Sequence, residues 1–238
     1  MGMRTFETTS WTVVLAAKDE QTAVSRSALH DLCETYWPPL YSYIRHKGYS
    51  VENAQDLTQE FFTNLLAKNY LKDVEPAKGR FRSFLFASVN HFLANERAKE
   101  RTLKRGGGHT HLSLDYSEAE QRYACGPSHA LSPTALFDAE WARTTLETAL
   151  RQLEAEYAKA GKAHVFDGLK SFLAGTRADL SYEDLAHRLD MSEGAAKVAV
   201  HRLRKRYGAL LRNAIGNTVE RPDDVDEELR YLAKVAGS

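Results

Sequence analysis

Two stretches of the chain gather cations on one helix face, an arrangement suited to the phosphate backbone of a nucleic acid. The first runs from Phe81 to Arg101, FRSFLFASVNHFLANERAKER. Phe84, Leu85, Val89, Phe92 and Leu93 recur at helical spacing and can supply a buried stripe. Asn90, Arg97, Arg101 and Lys104 are spaced by seven, four and three and share the opposite face. From Lys78 to Arg105 there are eight basic residues and two acidic ones. Such a face is the electrostatic footprint of a phosphate backbone, and aromatics beside it can stack on unpaired bases. Ser83 is placed to cap the helix. On that reading Phe84 and Phe92 belong to the core, whereas Phe81 stands ahead of the helix and is freer to meet a base.

The second stretch is LSYEDLAHRLDMSEGAAKVAVHRLRKRYGALL, from Leu180 to Leu211. Ser181 can cap a short helix, with Glu183 and Asp184 in its first turn favouring the helix dipole. Asp190 and Met191 form a turn, and Ser192 caps a longer helix. Leu185, Ala186 and Leu189 face inward on the short helix, and Ala196, Val200, Leu203 and Tyr207 on the long one. Glu193, Lys197, His201 and Arg204 face outward, flanked by Arg202 and Lys205. From Lys197 to Arg212 there are six Lys or Arg and no Asp or Glu. This is the layout of a helix-turn-helix, whose second helix can lie in a major groove with early residues on base edges and later cations on phosphate.

A third surface carries the opposite charge. In NAQDLTQEFFTNLL, Asn53 to Leu66, the residues Ala54, Leu57, Phe61, Phe62 and Leu65 cluster on one side. Asp56, Gln59, Glu60 and Thr63 lie on the other, either as a solvated face or as a docking face for a partner. Periodicity alone does not choose between them. No set of residues has the spacing of a catalytic or metal site. His109, His111, Cys125 and His129 fall loosely through a glycine-rich stretch and match no zinc pattern, so neither catalysis nor a metal or other cofactor is expected.

The elements that must position these faces are helices. Strand signals are almost absent, and the class expected is all-α. The chain has 238 residues, 43% hydrophobic, with 32 basic residues balancing 32 acidic ones. That balance suits one or two globular domains, with charge segregated locally. The longest apolar stretch near the start, Val13 to Ala17, is far short of a membrane span or a signal peptide. Cys33 and Cys125 are distant, and a reduced, cytoplasmic protein is expected. The punctuation of the chain sets the expected segments: 1–21 N-terminal, 22–105 a first helical domain, 106–135 a flexible linker opening on Gly106-Gly107-Gly108, 136–216 a second domain, and 217–238 an acidic tail. In the first domain Leu29, Leu32, Tyr36, Leu40 and Ile44 form a stripe that Pro38-Pro39 should kink or interrupt. Lys47 to Ser50 should then turn the chain, with Ser50 or Asn53 capping the next helix. The tail has six acidic and three basic residues. Val225, Leu229 and Leu232 form a stripe behind Pro222. The expectation is a short helix capping the second domain, or one that competes with nucleic acid for the basic helix at Lys197 to Arg212 or docks on a component of a partner assembly.

Taken in order, NAQDLTQEFF, FRSFLFASVNHFLANERAKER and LSYEDLAHRLDMSEGAAK followed by HRLRKR resemble the polymerase-binding helix, the promoter-melting helix and the C-terminal helix-turn-helix of a bacterial sigma factor of the extracytoplasmic-function (ECF) type. YWPPLYSYIRHKGYS and KRGGG bring the pattern closest to an ECF-like subgroup with a short C-terminal extension. The resemblance covers about Leu29 to Arg105 and Leu136 to Ile215. It implies a non-catalytic protein that binds core RNA polymerase, at the β′ clamp helices and the β subunit, and directs promoter recognition, DNA melting and transcription initiation. Asp56, Gln59 and Glu60 would face the clamp. Arg80, Phe81, Asn90, Arg97, Arg101 and Lys104 would meet the −10 region, and Ser192, Lys197, His201, Arg202, Arg204 and Lys205 the −35 element. An anti-sigma factor is a further partner of such proteins, and no membrane insertion is implied. The alternative is a helix-turn-helix regulator that is not a polymerase subunit and has no use for the Asp56–Glu60 face. The chain departs from the family at Asp190, where the turn usually has glycine. Ala195-Ala196 replace a Thr-Val pair, and Val198 and Ala199 replace polar residues that often face DNA.

Overall fold

The computed structural model describes residues 23–67, 80–102, 115–125, 131–173, 181–216, 219 and 222–237, with side chains described for 33–65, 80–98, 115–124, 131–173, 181–216, 219 and 224–237. Among the described residues there are nine α-helices, one 3₁₀ segment and no strand, in keeping with the helical periodicity. Two compact units form, one from Met1–Thr144 with Ile215–Ser238 and the other from Thr145–Ala214.

In the first unit α1 (Ala23–His46) runs through Pro38 and Pro39 without a break. The expected interruption does not occur. Tyr36, Leu40, Tyr41, Tyr43 and Ile44 are essentially buried on both sides of the prolines, so tertiary packing overrides the local cost of the lost N–H groups. Gly48, at φ +90°, closes the end of α1 in a left-handed conformation open to glycine. Ser50 Oγ then accepts the Asn53 N–H at 3.2 Å and caps α2 (Val51–Ala67). The stripe Ala54, Leu57, Phe61, Phe62 and Leu65 is buried as its spacing requires, and α2 packs on α1.

Helix α3 (Phe81–Thr102) begins three residues earlier than a Ser83 cap would allow, since the Phe84 N–H already bonds the Arg80 carbonyl at 3.2 Å. Leu85, Val89 and Leu93 are buried, and Phe84 and Phe92 half-buried. The stretch expected to be linker holds a helix as well. Asp115 Oδ1 accepts the Ser117 N–H at 3.0 Å and starts α4 (Ser117–Cys125), which packs on α1. Tyr116 and Ala119 are buried there, with Tyr116 edge-on to Trp37 at 5.1 Å.

Helix α5 (Pro133–Lys159) has Pro133 at its first position and Ser132 Oγ accepting the Ala135 N–H at 3.2 Å. The unit boundary falls inside it, after Thr144 rather than at residue 136, because Leu136, Phe137, Trp141 and Ala142 are buried in the first unit. The second unit takes the rest of α5, then α6 (Ala163–Leu169), a 3₁₀ segment (Lys170–Leu173), α7 (Tyr182–Arg188) and most of α8 (Glu193–Gly216). Its core joins Leu153, Phe166, Leu169, Leu185, Ala196, Val200 and Leu203. Gly168 lets Leu189 pack close, since a Cβ there would stand 3.0 Å from a Leu189 methyl.

The tail forms α9 (Pro222–Ala236) and belongs to the first unit, not the second. Leu232 is buried and Val225 and Leu229 half-buried. The expectation that it caps the second domain is corrected by the ion pairs of Glu227 and Glu228, which are made to Arg80 and Arg82 of the first unit.

Candidate nucleic-acid interface

Helix α2 presents Asp56 fully outward, with Gln59 and Glu60 half-buried beside it. The flank of this face is not bare. The Tyr116 hydroxyl lies 3.4 Å from the Gln55 carbonyl and hydrogen-bonds with Gln59. Burial, reinforced by the Asp56 charge, pushes the Tyr116 phenol up to about 12. Gln59 is thus committed partly to holding α4, and Asp56 and Glu60 carry the negative charge of the face.

At α3 the expected −10 residues separate into different roles. Phe81 is the first residue of the helix and 0% exposed, packed edge-on against Tyr36 with ring centroids 5.4 Å apart. It anchors the helix and presents no ring to a base, which corrects the expectation. Its burial follows from the helix starting at residue 81, which puts Phe81 one turn ahead of Leu85. Asn90 is also turned inward, accepting from the Tyr43 hydroxyl and donating to the Phe86 carbonyl at 2.8 Å. Arg97 is exposed, with its guanidinium 5.3 Å from the Tyr49 ring centre and its Nε donating to the Tyr49 hydroxyl at 3.0 Å. The side chains of Arg101 and Lys104 lie outside the described residues.

Arg80 stands just ahead of α3 and is half-covered by the tail. Its Nη2 lies 3.2 Å from Glu227 Oε2 and its Nε 3.0 Å from Glu228 Oε2. Next to it, Arg82 is 6% exposed, an unusual place for a cation. Its Nη1 donates to Asp138 Oδ1 at 2.9 Å, and its Nη2 lies 3.2 Å from Glu228 Oε1. Its guanidinium sits 4.5 Å from the ring centres of both Trp141 and Tyr231. The Tyr231 hydroxyl completes the cluster, donating to Asp138 Oδ2 at 2.6 Å. Glu228 is 1% exposed, and burial raises its carboxyl above the ordinary range against the opposing pull of Arg82 and Arg80. Arg82, Asp138, Glu228 and Tyr231 were not singled out by the sequence reading. A signal exists nonetheless: Glu228 falls on the stripe of Val225, Leu229 and Leu232, and Arg82 on that of Leu85 and Val89. A charge on an apolar stripe needs a buried partner.

In the second unit the helix-turn-helix is built as expected. Ser181 Oγ accepts the Glu183 N–H at 3.1 Å and Ser192 Oγ the Ala195 N–H at 3.2 Å. The Met191 N–H reaches back to the Ala186 carbonyl at 3.0 Å and the Asp190 N–H to His187 at 3.4 Å. That closure requires a left-handed residue at 190, and Asp190 has φ 49°. The glycine usual there is explained by this conformation, which aspartate tolerates. The inward residues Ala196, Val200 and Leu203 are buried, while Lys197, His201, Arg202, Arg204 and Lys205 are exposed. Ser192 serves α8 as its cap. Lys197 pairs with Glu193 at 2.6 Å, and Arg204 clasps the Phe172 carbonyl through Nε at 3.1 Å and Nη2 at 2.8 Å. Val198 is 48% exposed on the face that His201, Arg202 and Lys205 share, whereas Ala199 packs against the core.

Among the described residues no group of His, Cys, Asp or Glu could hold a metal, and the histidines 109, 111 and 129 lie outside them. No described helix is long and apolar enough to cross a membrane. No curated protein and no solved structure matches the chain. Two capped, helical units with cations gathered on α3 and α8 agree with what the family comparison finds. The chain matches the ECF sigma factor family over residues 27–217, and it is a member of that family, with a role in transcription initiation.

Proposed function

We propose that the protein binds core RNA polymerase through the Asp56–Glu60 face of α2 and carries it to a promoter whose −10 strand meets the first unit and whose −35 duplex meets α8. The family supplies the general role, and the surfaces supply the assignment. Asp56 is exposed on α2 opposite a fully buried stripe, so it is free to meet the cations of a clamp helix. Arg80 stands just ahead of α3 and Arg97 in its second half, with Arg101 and Lys104 continuing the face of Arg97 in sequence. On α8, Arg202 and Lys205 offer the cations, His201 a ring that can hydrogen-bond a base edge, and Val198 an apolar surface for a thymine methyl. The β′ clamp as the docking element follows from the resemblance of NAQDLTQEFF to a polymerase-binding helix.

The observation that carries this reading is the outward Asp56 on a helix whose other side is sealed in the core. Reversing Asp56 and Glu60 to Lys should weaken the affinity for core polymerase while leaving circular dichroism unchanged. Transcription from a promoter library by core enzyme plus the wild-type chain should yield defined start sites, which the reversed variant fails to give. Unchanged affinity of the reversed variant would refute the docking face. A chain that binds duplex DNA alone but never core enzyme would be a helix-turn-helix regulator instead.

A further inference from the structure

The acidic helix α9 lies on a cation assigned above to the promoter strand. Arg80 keeps 32% of its side chain exposed, and Nη2 and Nε are the nitrogens at ion-pair distance from the tail, although Glu228 Oε2 accepts no hydrogen bond there. Those two N–H groups form the edge with which a guanidinium grips a carboxylate or a phosphate. The tail is held there by more than charge. Leu232 is buried, Glu228 sits under Arg82, and Tyr231 reaches across to Asp138. The buried contacts fix the helix, and Glu227, whose side chain is 62% exposed, adds its carboxylate at the rim. Being part of the same chain, α9 competes at a high effective concentration.

We infer that α9 is an internal competitor for nucleic acid at the start of α3: the carboxylates of Glu227 and Glu228 occupy the place on Arg80 that backbone phosphates of an unpaired strand take, so the strand binds only when the tail has moved. This rests on the reading of Arg80 as a −10 contact and adds a regulatory layer to it. Apparent affinity falls by the undocked fraction, so a tail undocked about one-tenth of the time weakens strand binding about tenfold.

The test is fluorescence anisotropy of a short labelled single-stranded DNA of mixed sequence, titrated with the full chain, a chain ending at residue 216, and the full-length variants Glu227→Gln and Tyr231→Phe. Each is also made with Arg80→Ala. The shortened chain should bind about tenfold tighter and the two point variants should show smaller gains. Arg80→Ala should remove every gain. A shortened chain that retains its helicity and binds no tighter overturns the inference, as does a gain that survives Arg80→Ala. Where truncation costs the fold, the two point variants decide, and no gain in either overturns it. The underlying reading of Arg80 is tested apart, by permanganate footprinting with core polymerase. There, normal thymine reactivity with Arg80→Ala would sink the −10 assignment whatever the tail does.

Discussion

Replacing Arg82 by Met should destabilise the first unit and leave the second untouched. Methionine keeps a flexible apolar stem between Trp141 and Tyr231 but removes the charge, so the change isolates electrostatics from packing. Two carboxylates, Asp138 and Glu228, would then lose the guanidinium that bonds one and pairs with the other. Removing one partner of a buried ion pair costs about 3–5 kcal/mol, since the remaining charge stays desolvated. The lower end applies here because Arg80 still reaches Glu228 and Tyr231 still donates to Asp138. The cation–π contacts involve the same charge and are not counted again. With a urea dependence of about 2 kcal/mol per molar, a loss of ~3 kcal/mol lowers the midpoint by about 1.5 M. The assay is selective by composition. Trp37 and Trp141 belong to the first unit, Trp11 lies outside the described residues, and no tryptophan lies between 145 and 214, so tryptophan emission does not report on the second unit. This matters because two units need not unfold together. A midpoint shift below about 0.5 M, roughly 1 kcal/mol, would mean that the cluster behaves as a solvent-screened surface pair, and the argument would fail. Adding Glu228→Leu to Arg82→Met should recover part of the loss, because an apolar pair leaves less charge unmatched.

Acid should loosen α4 from α1. Glu120 accepts from Arg45 at 2.8 and 2.9 Å and from the Tyr41 hydroxyl at 2.6 Å, and Arg45 above all holds its carboxyl below the usual 4.5. The stability this adds is present above about pH 4.5 and is lost as pH falls through the lower folded value; Glu120→Gln should flatten the acid limb of a Trp37 emission titration. Asp190→Gly should leave the second unit as stable or up to about 1 kcal/mol more so, since relief of the left-handed strain is offset by glycine's chain entropy; a loss in thermal melting would contradict the turn geometry. Arg204→Ala should cost the second unit about 1–2 kcal/mol by freeing the Phe172 carbonyl, seen as faster amide exchange in α6 and the 3₁₀ segment, with little change in DNA affinity. Deoxyuridine for thymidine in a −35 duplex should weaken binding about fourfold for one lost methyl contact, ~0.8 kcal/mol, and Val198→Ser should erase that difference; equal binding of both duplexes by the wild type would remove Val198 from base reading.

The helices and their buried faces were legible in the sequence wherever one periodic stripe met one cap. Ser50, Ser181 and Ser192 all cap as their positions demand, the stripe of α2 is buried residue for residue, and on α8 Ala196, Val200 and Leu203 are buried with Tyr207 partly so. Legibility failed where a choice depended on contacts between distant segments. Pro38 and Pro39 argue locally for a break, but the aromatic and aliphatic residues around them gain more by burial in one helix. Phe81 looked free because Ser83 is a good cap by type, whereas Arg80 supplies the first carbonyl of α3 and draws Phe81 into the core. Tyr116 and Glu120 sit in a stretch flanked by glycines, and their partners Gln59, Arg45 and Tyr41 lie in α1 and α2.

The tail shows what form the missing information takes. Its acidity and its stripe are both visible in sequence, yet neither says which unit it covers. The deciding feature is a mismatch repeated three times. Glu228 interrupts the apolar stripe of α9, Arg82 that of α3, and Asp138 shares a helical face with Trp141 and Thr145 in α5, all of them buried. Each alone reads as a polar residue misplaced in a core position, with a desolvation cost of several kcal/mol. Together they offset much of that cost: Arg82 stands between two carboxylates, Arg80 reaches Glu228 from the rim, and the aromatic rings of Trp141 and Tyr231 close over the Arg82 guanidinium. A basic helix on the second unit cannot meet that requirement, because its cations lie on an outward face rather than on a stripe. Charge complementarity between surfaces pointed to α8. Charge complementarity between buried stripes points to α3 and α5, and it is the buried match that the chain adopts.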